Sequence, residues 1–203
     1  MTDRWPAELV EGPVVLRPLR QRDASAWRDV RARNSEWLSP WESTLPESQD
    51  ERPASFSAMV RRLRAEARAG RTMGFAITLD SRLVGQITLG GISWGSLRAA
   101  YVGYWIDQAV AGRGITPTAV ALVCDYAWRD LRLHRIEINI RPENAASLRV
   151  VEKLGFRFEG LRPAYLHIDG RWCDHMTFAL NAEEVPEGLV NRWRSNVASR
   201  DTP

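Results

Sequence analysis

The stretch from Ala100 to about Arg129 constrains this chain more than any other. An apolar segment, Tyr101-Val102-Gly103-Tyr104-Trp105-Ile106, runs through Asp107-Gln108-Ala109-Val110-Ala111 into Gly112-Arg113-Gly114-Ile115-Thr116, where a helical pattern opens. A strand that ends in a glycine-bracketed loop and turns at once into a helix aims several free backbone N–H groups, and the positive end of the helix dipole, at one spot. Such a spot favours an anion. Gly112 and Gly114 suit it because a loop wrapped around a phosphate needs unusual backbone angles and no side chain in the way; Arg113 adds a charge. Taken alone, Gly-x-Gly also fits an ordinary strand-to-helix turn, so the rest of the chain has to decide. A dinucleotide fingerprint is ruled against, because Pro117 stands where its third glycine would be.

Around this stretch the pattern reads as mixed α and β. Val14 to Pro18 is a short strand, and Asp23 is placed to cap a helix carrying Ala24, Trp27 and Val30 on one face. Asn34 to Pro46 is too broken for a long helix and too apolar for a solvated loop, so it either plugs a core or walls a pocket. Pro53 is expected to open an arginine-rich helix ending at Gly70. From Thr72 the period changes to two, giving strands at Met73 to Leu79, Leu83 to Trp94 and Arg98 to Ile106 in an antiparallel meander. The helix after the glycine loop carries an apolar stripe of Ile115, Ala119, Leu122, Val123 and Tyr126. The strand Arg135 to Ile140 follows, completing a crossover between parallel strands. Ala145 to Leu154 is a short helix closed by Gly155, and two strands about Phe156 to His167 and Trp172 to Leu180 turn through Asp169-Gly170. A last helix is expected over about 186–197.

With 203 residues, 44% of them hydrophobic, and nine tryptophans, the chain can bury a full core as one domain over 1–203, centred on about 14–181. It contains no apolar run of about eighteen residues and no signal-peptide layout at Met1-Thr2-Asp3-Arg4, so a cytoplasmic protein away from membranes is expected. Cys124 and Cys173 have no partner at metal-ligand spacing and are read as core thiols, with no metal expected. The formal charge of +3 comes from nearly balanced acidic and basic residues, and no basic run exceeds Arg61-Arg62; direct nucleic-acid binding is not expected.

The order of elements resembles the GNAT acetyltransferases, and the residues are more specific than the order. Tyr104-Trp105-Ile106-Asp107, Gly112-Arg113-Gly114-Ile115-Thr116, His134-Arg135-Ile136-Glu137, Pro142-Glu143-Asn144-Ala145-Ala146-Ser147, Glu152-Lys153-Leu154-Gly155-Phe156 and Glu159-Gly160, with Pro40-Trp41-Glu42 earlier, are similar to the ribosomal-protein-alanine N-acetyltransferase (RimJ/RimL-like) branch. The resemblance spans about Val14 to Leu180. It implies an α/β (α+β) GNAT fold: a mixed, mostly antiparallel sheet flanked by helices, whose splayed parallel strands hold acetyl-CoA. The pyrophosphate would lie on the N–H groups of Gly112, Arg113, Gly114, Ile115 and Thr116. Pantetheine would pair with the strand edge at Trp105 and Ile106 as an added strand does. Asn144 is either an N-cap or, by resemblance, a pantetheine ligand. One departure is Ala109, where the family usually carries Gln or Arg.

The implied reaction is attack of a neutral amine on the thioester carbonyl, with a donor protonating the departing thiolate. By resemblance Ser147 is placed near the sulfur as that donor, and Tyr165 is a second candidate donor or substrate contact. Many lysine-acetylating members carry a glutamate base on the strand before the loop; counting back from Ile106 puts that position at Ala100. Glu42 and Glu137 remain as possible bases, and Trp37, Trp41 and Glu42 as substrate contacts. The resemblance implies a peptide or protein N-terminus, such as that of a ribosomal protein, as acceptor. A small free amine, an antibiotic or polyamine, and a non-enzymatic acyl-CoA-binding regulatory domain are the competing readings, and monomer and homodimer are both open.

Overall fold

In the computed structural model, residues 5–46 and 55–199 are described. They form one eight-stranded sheet of order β1-β2-β3-β4-β5-β6-β8-β7. The strands are β1 (Leu9–Glu11), β2 (Val14–Pro18), β3 (Met73–Leu79), β4 (Arg82–Ser93), β5 (Ala99–Ile106), β6 (Arg135–Ile140), β7 (Arg157–Ile168) and β8 (Arg171–Asn181). Every neighbouring pair is antiparallel except β5 and β6. Two of the hairpins turn where both loop residues accept positive φ: Asp80 and Ser81 after β3, Asp169 and Gly170 after β7.

Six helices cover the two faces: α1 (Ala24–Arg33), α2 (Ser35–Leu38), α3 (Phe56–Arg68), α4 (Ile115–Arg129), α5 (Ala145–Leu154) and α6 (Leu189–Ala198). α1 and α3 lie over one face, on a small core of Leu19, Val30, Val60, Ala76 and Leu83 joined by Trp27, Phe56 and Trp105. The other face carries the main core with α4, α5 and α6. The expected single apolar stripe on α4 is incomplete: residues such as Val120, Ala121, Cys124 and Trp128 are buried too, because α4 is sandwiched between the sheet and α6. Asp23 also departs from expectation. It stands before α1, yet its carboxylate makes no cap there, because it accepts from Arg17 (2.7 and 2.8 Å) and from the Arg20 N–H (2.8 Å). α3 is capped by the Ser55 side chain, which accepts from the Ala58 N–H; Pro53, the expected helix start, lies outside the described residues. Cys124 and Cys173 are buried free thiols.

Candidate active site

β5 and β6 pair only through Ala99–Tyr101 against Arg135–Glu137. Beyond Tyr101 the strands part, and the β5 edge from Val102 to Ile106 faces a gap instead of β6. A groove of about 770 Å³ runs from this edge to the glycine loop and the start of α5. Gly103, Trp105 and Ile106 line it on the strand, Gly112, Gly114, Ile115 and Thr116 on the loop, and Asn144 and Ser147 on α5. Gly112 (φ 80°) and Gly114 (φ 79°) both take left-handed backbone, which few other residues adopt without strain. Gly114 is the N-cap of α4, so its neighbours' free N–H groups open toward the groove. Arg113 differs from the sequence expectation in one respect: its side chain is exposed and does not line the groove, leaving its backbone as the part available to a ligand.

The loop is held by contacts from distant segments. Asp107, nearly fully buried, accepts from Arg33, from Asn34 Nδ2 (2.9 Å) and from the Ala109 N–H (3.2 Å), while Asn34 Oδ1 accepts from the Gln108 N–H (2.9 Å). Burial alone would raise the Asp107 pKa; the hydrogen bonds from Arg33 and Asn34 outweigh it and hold the carboxyl below its usual range. On the other side of the loop Trp193 Nε1 donates to Thr118 Oγ1 (2.9 Å), which donates to the Gly114 carbonyl (2.9 Å). The Asp125 carboxylate accepts from the Leu189 and Val190 N–H groups, fixing α6 and with it Trp193.

A second cavity of about 370 Å³ lies on the other side of the gap, between β5, β6 and the β7–β8 hairpin. Trp41, Tyr104, Asn144 and Ser147 line both cavities, so they mark where the two meet. Asn144 does cap α5: its Oδ1 accepts from the Ser147 N–H (3.1 Å), which leaves its Nδ2 donors uncommitted by that bond. The Tyr104 hydroxyl is buried beside Ser147 without a well-formed hydrogen bond, and burial pushes its pKa up to about 12. Tyr165 lines the second cavity and not the groove; its hydroxyl accepts from Arg162 (3.1 Å). Trp37, Trp41 and Glu42 form one wall of the groove.

The two carboxylates weighed as bases are both tied down. Glu42 is ion-paired with Arg31, and Glu137 with Arg135 (2.9 Å) and Arg162 (3.1 Å). Ala100 is buried in the main core. Sequence reasoning missed His175, which lines the second cavity, and the Arg33–Asn34–Asp107 cluster. Among the described residues no group of three or more His, Cys, Asp or Glu could hold a metal ion, and no helix is long and apolar enough to cross a membrane.

Residues 14–157 match the model of the acetyltransferase (GNAT) domain. The chain belongs to the GNAT acetyltransferase family. It is an acyltransferase. The Escherichia coli ribosomal protein uS5-alanine N-acetyltransferase is 31% identical over 177 residues, covering 86% of this chain and 91% of that protein. The Bacillus subtilis protein named Probable N-acetyltransferase YjcK is 44% identical over 107 residues, 53% of this chain and 59% of that protein. A solved structure of Mycobacterium smegmatis RimJ in complex with CoA-disulfide superposes with a TM-score of 0.89 at 40% identity, covering 96% of this chain and 97% of that one. The GNAT fold expected from the motifs, with its single parallel pair, is the fold observed.

Proposed function

We propose that this GNAT enzyme transfers acetyl from acetyl-CoA to the N-terminal α-amine of a protein, a ribosomal protein in the first instance, by direct attack of the amine on the thioester. The observation that carries the reading is the pair of cavities meeting at Asn144, Ser147 and Tyr104. The groove suits an elongated donor: the glycine loop offers N–H groups to a pyrophosphate, and the unpaired β5 edge offers backbone partners to the pantetheine amides. The second cavity then admits the acceptor from the opposite side. Ser147, at the junction, would give its hydroxyl proton to the departing thiolate, and Trp37 and Trp41 would form a wall of the peptide site. Relatives named for acetylating ribosomal proteins support this acceptor class.

Acceptor charge supports an α-amine further. With a pKa of about 7.7 to 8.0, roughly a quarter of an α-amino group is neutral near pH 7.4, whereas a lysine side chain at about 10.4 is neutral in about one molecule per thousand. That gap is worth roughly 3 kcal/mol. Ala100 supplies no carboxylate, and no carboxylate lines the second cavity among the described residues, which disfavours both a lysine and a polycationic small amine. The test uses two otherwise identical peptides beginning with a small residue, one with a free α-amine and a blocked lysine, the other the reverse. The α-amine peptide is expected to have the higher kcat/KM across pH 7 to 9. A higher value for the lysine peptide overturns the reading.

A further inference from the structure

His175 sits on β8 and is almost fully buried, yet it lines the second cavity together with Tyr165, Asn144 and Ser147. Its Nδ1 lies 3.1 Å from the Cys173 carbonyl. A carbonyl only accepts, so the Nδ1 atom carries the proton and the Nε2 atom carries the lone pair. The ring is steadied by Tyr165, whose own ring meets it edge-on at 5.7 Å. A histidine serving only the core would need no more than the carbonyl bond; this one also borders the space into which an acceptor amine would come. The other groups there cannot take a proton near neutral pH. Among the described residues the cavity has no carboxylate, Arg141 is permanently charged, and the Tyr104 hydroxyl is held protonated.

We propose that His175 is the proton acceptor of the acetyl transfer, taking the proton that the acceptor nitrogen must lose onto Nε2, directly or through one water. The inference rests on the acetyl-transfer reading above. The neutral amine forms the C–N bond to the thioester carbonyl carbon, and its nitrogen becomes positive. Nε2 takes the surplus proton, the C–S bond breaks, and the thiolate receives a proton from Ser147 Oγ. The imidazolium then releases its proton and the serine oxygen regains one through solvent, so amine and thioester become amide and thiol with no net proton gained or lost.

The surroundings keep the imidazole neutral, as a base must be. Burial is the largest influence and lowers its pKa; Arg141 lowers it further, while the Cys173 carbonyl, Glu143 and Asp174 act in the opposite direction. Arg162, opposite His175 in the β7–β8 register, is ion-paired with Glu137 (3.1 Å) and donates to the Tyr165 hydroxyl. The neutral form is therefore present at pH 7 and is lost only as pH falls through a value below the usual 6.5.

The experiment combines His175→Gln kinetics with imidazole NMR of the unmodified enzyme, using whichever amine peptide that enzyme turns over. The variant is expected to keep the wild-type thermal shift with acetyl-CoA and to lose about 10²-fold in kcat. In the wild type, log kcat/KM should fall with a slope of one below the amine pKa and two once His175 protonates; in the variant the slope stays at one. NMR should find the proton on Nδ1 and a neutral ring at pH 7. A kcat within about threefold of wild type, a slope of two persisting in the variant, or a proton on Nε2 overturns the assignment. Failure of the α-amine reading would show separately, as a wild-type preference for another amine.

Discussion

Gly114→Val is the sharpest perturbation of the loop that would carry the pyrophosphate. Gly114 has φ 79° and ψ −3°, a left-handed conformation that costs an ordinary residue about 1–2 kcal/mol. A Cβ there would stand 3.4 Å from Trp193 Cζ2, so a single methyl fits, whereas the two further methyls of valine must displace the indole that holds Thr118 and, through it, the Gly114 carbonyl. Repacking of that kind costs about 1–3 kcal/mol. Taking about 1.5 kcal/mol for each effect, the variant should lose about 3 kcal/mol, or roughly 6–12 °C in Tm for a chain of this size. Acetyl-CoA at a hundred times its Kd should stabilise the wild type by about 2.7 kcal/mol, roughly 5–11 °C, and the valine variant by little. Differential scanning fluorimetry with and without acetyl-CoA measures both. Gly112→Ala is the internal comparison: a Cβ at Gly112 meets nothing within 4 Å, so only the backbone cost of its φ of 80° applies. If Gly114→Val retains the full ligand-induced shift, the loop does not hold the pyrophosphate.

Ser147→Ala should lower kcat by about ten- to a thousandfold while leaving acetyl-CoA affinity unchanged, because a proton donor acts in the transition state; an unchanged kcat with chemistry rate-limiting refutes the role and leaves Tyr165 as the candidate donor. Asp107→Ala should lower stability by about 1–3 kcal/mol, since Asn34 and the Ala109 N–H lose a buried acceptor, and should weaken acetyl-CoA binding by loosening the loop. Because the Asp107 pKa is depressed in the fold, its contribution is full above the unfolded value near 3.9 and disappears as pH falls through the lower folded one; an acid unfolding profile identical to that of the alanine variant refutes it.

What the sequence makes legible is local, and what it hides depends on pairing between distant strands. The glycine loop, the Asn144 cap and the two positive-φ hairpins are each written in a few adjacent residues, so each can be read from the chain alone. Asp23 misleads for the complementary reason: position alone suggests a cap, while the competing partner, Arg17, comes from the preceding strand. Glu137 is a similar case. From the chain alone it qualifies as a base, but it lines neither cavity: strand β7 brings Arg162 across to it, and Arg135 flanks it from its own strand. His175 is the reverse case. Alternation along β8 gives only its side of the sheet, the same side as Thr177, which bonds Asn139 across from β6. Its place in the cavity comes from the β6–β8 and β8–β7 registers and from the irregularity between Arg162 and Leu166, the segment that contains Tyr165. A residue whose surroundings depend on three strands meeting in one register leaves no mark in any one of them, which is why the groove at the glycine loop is legible from motifs and the cavity between β5, β6 and the β7–β8 hairpin is not.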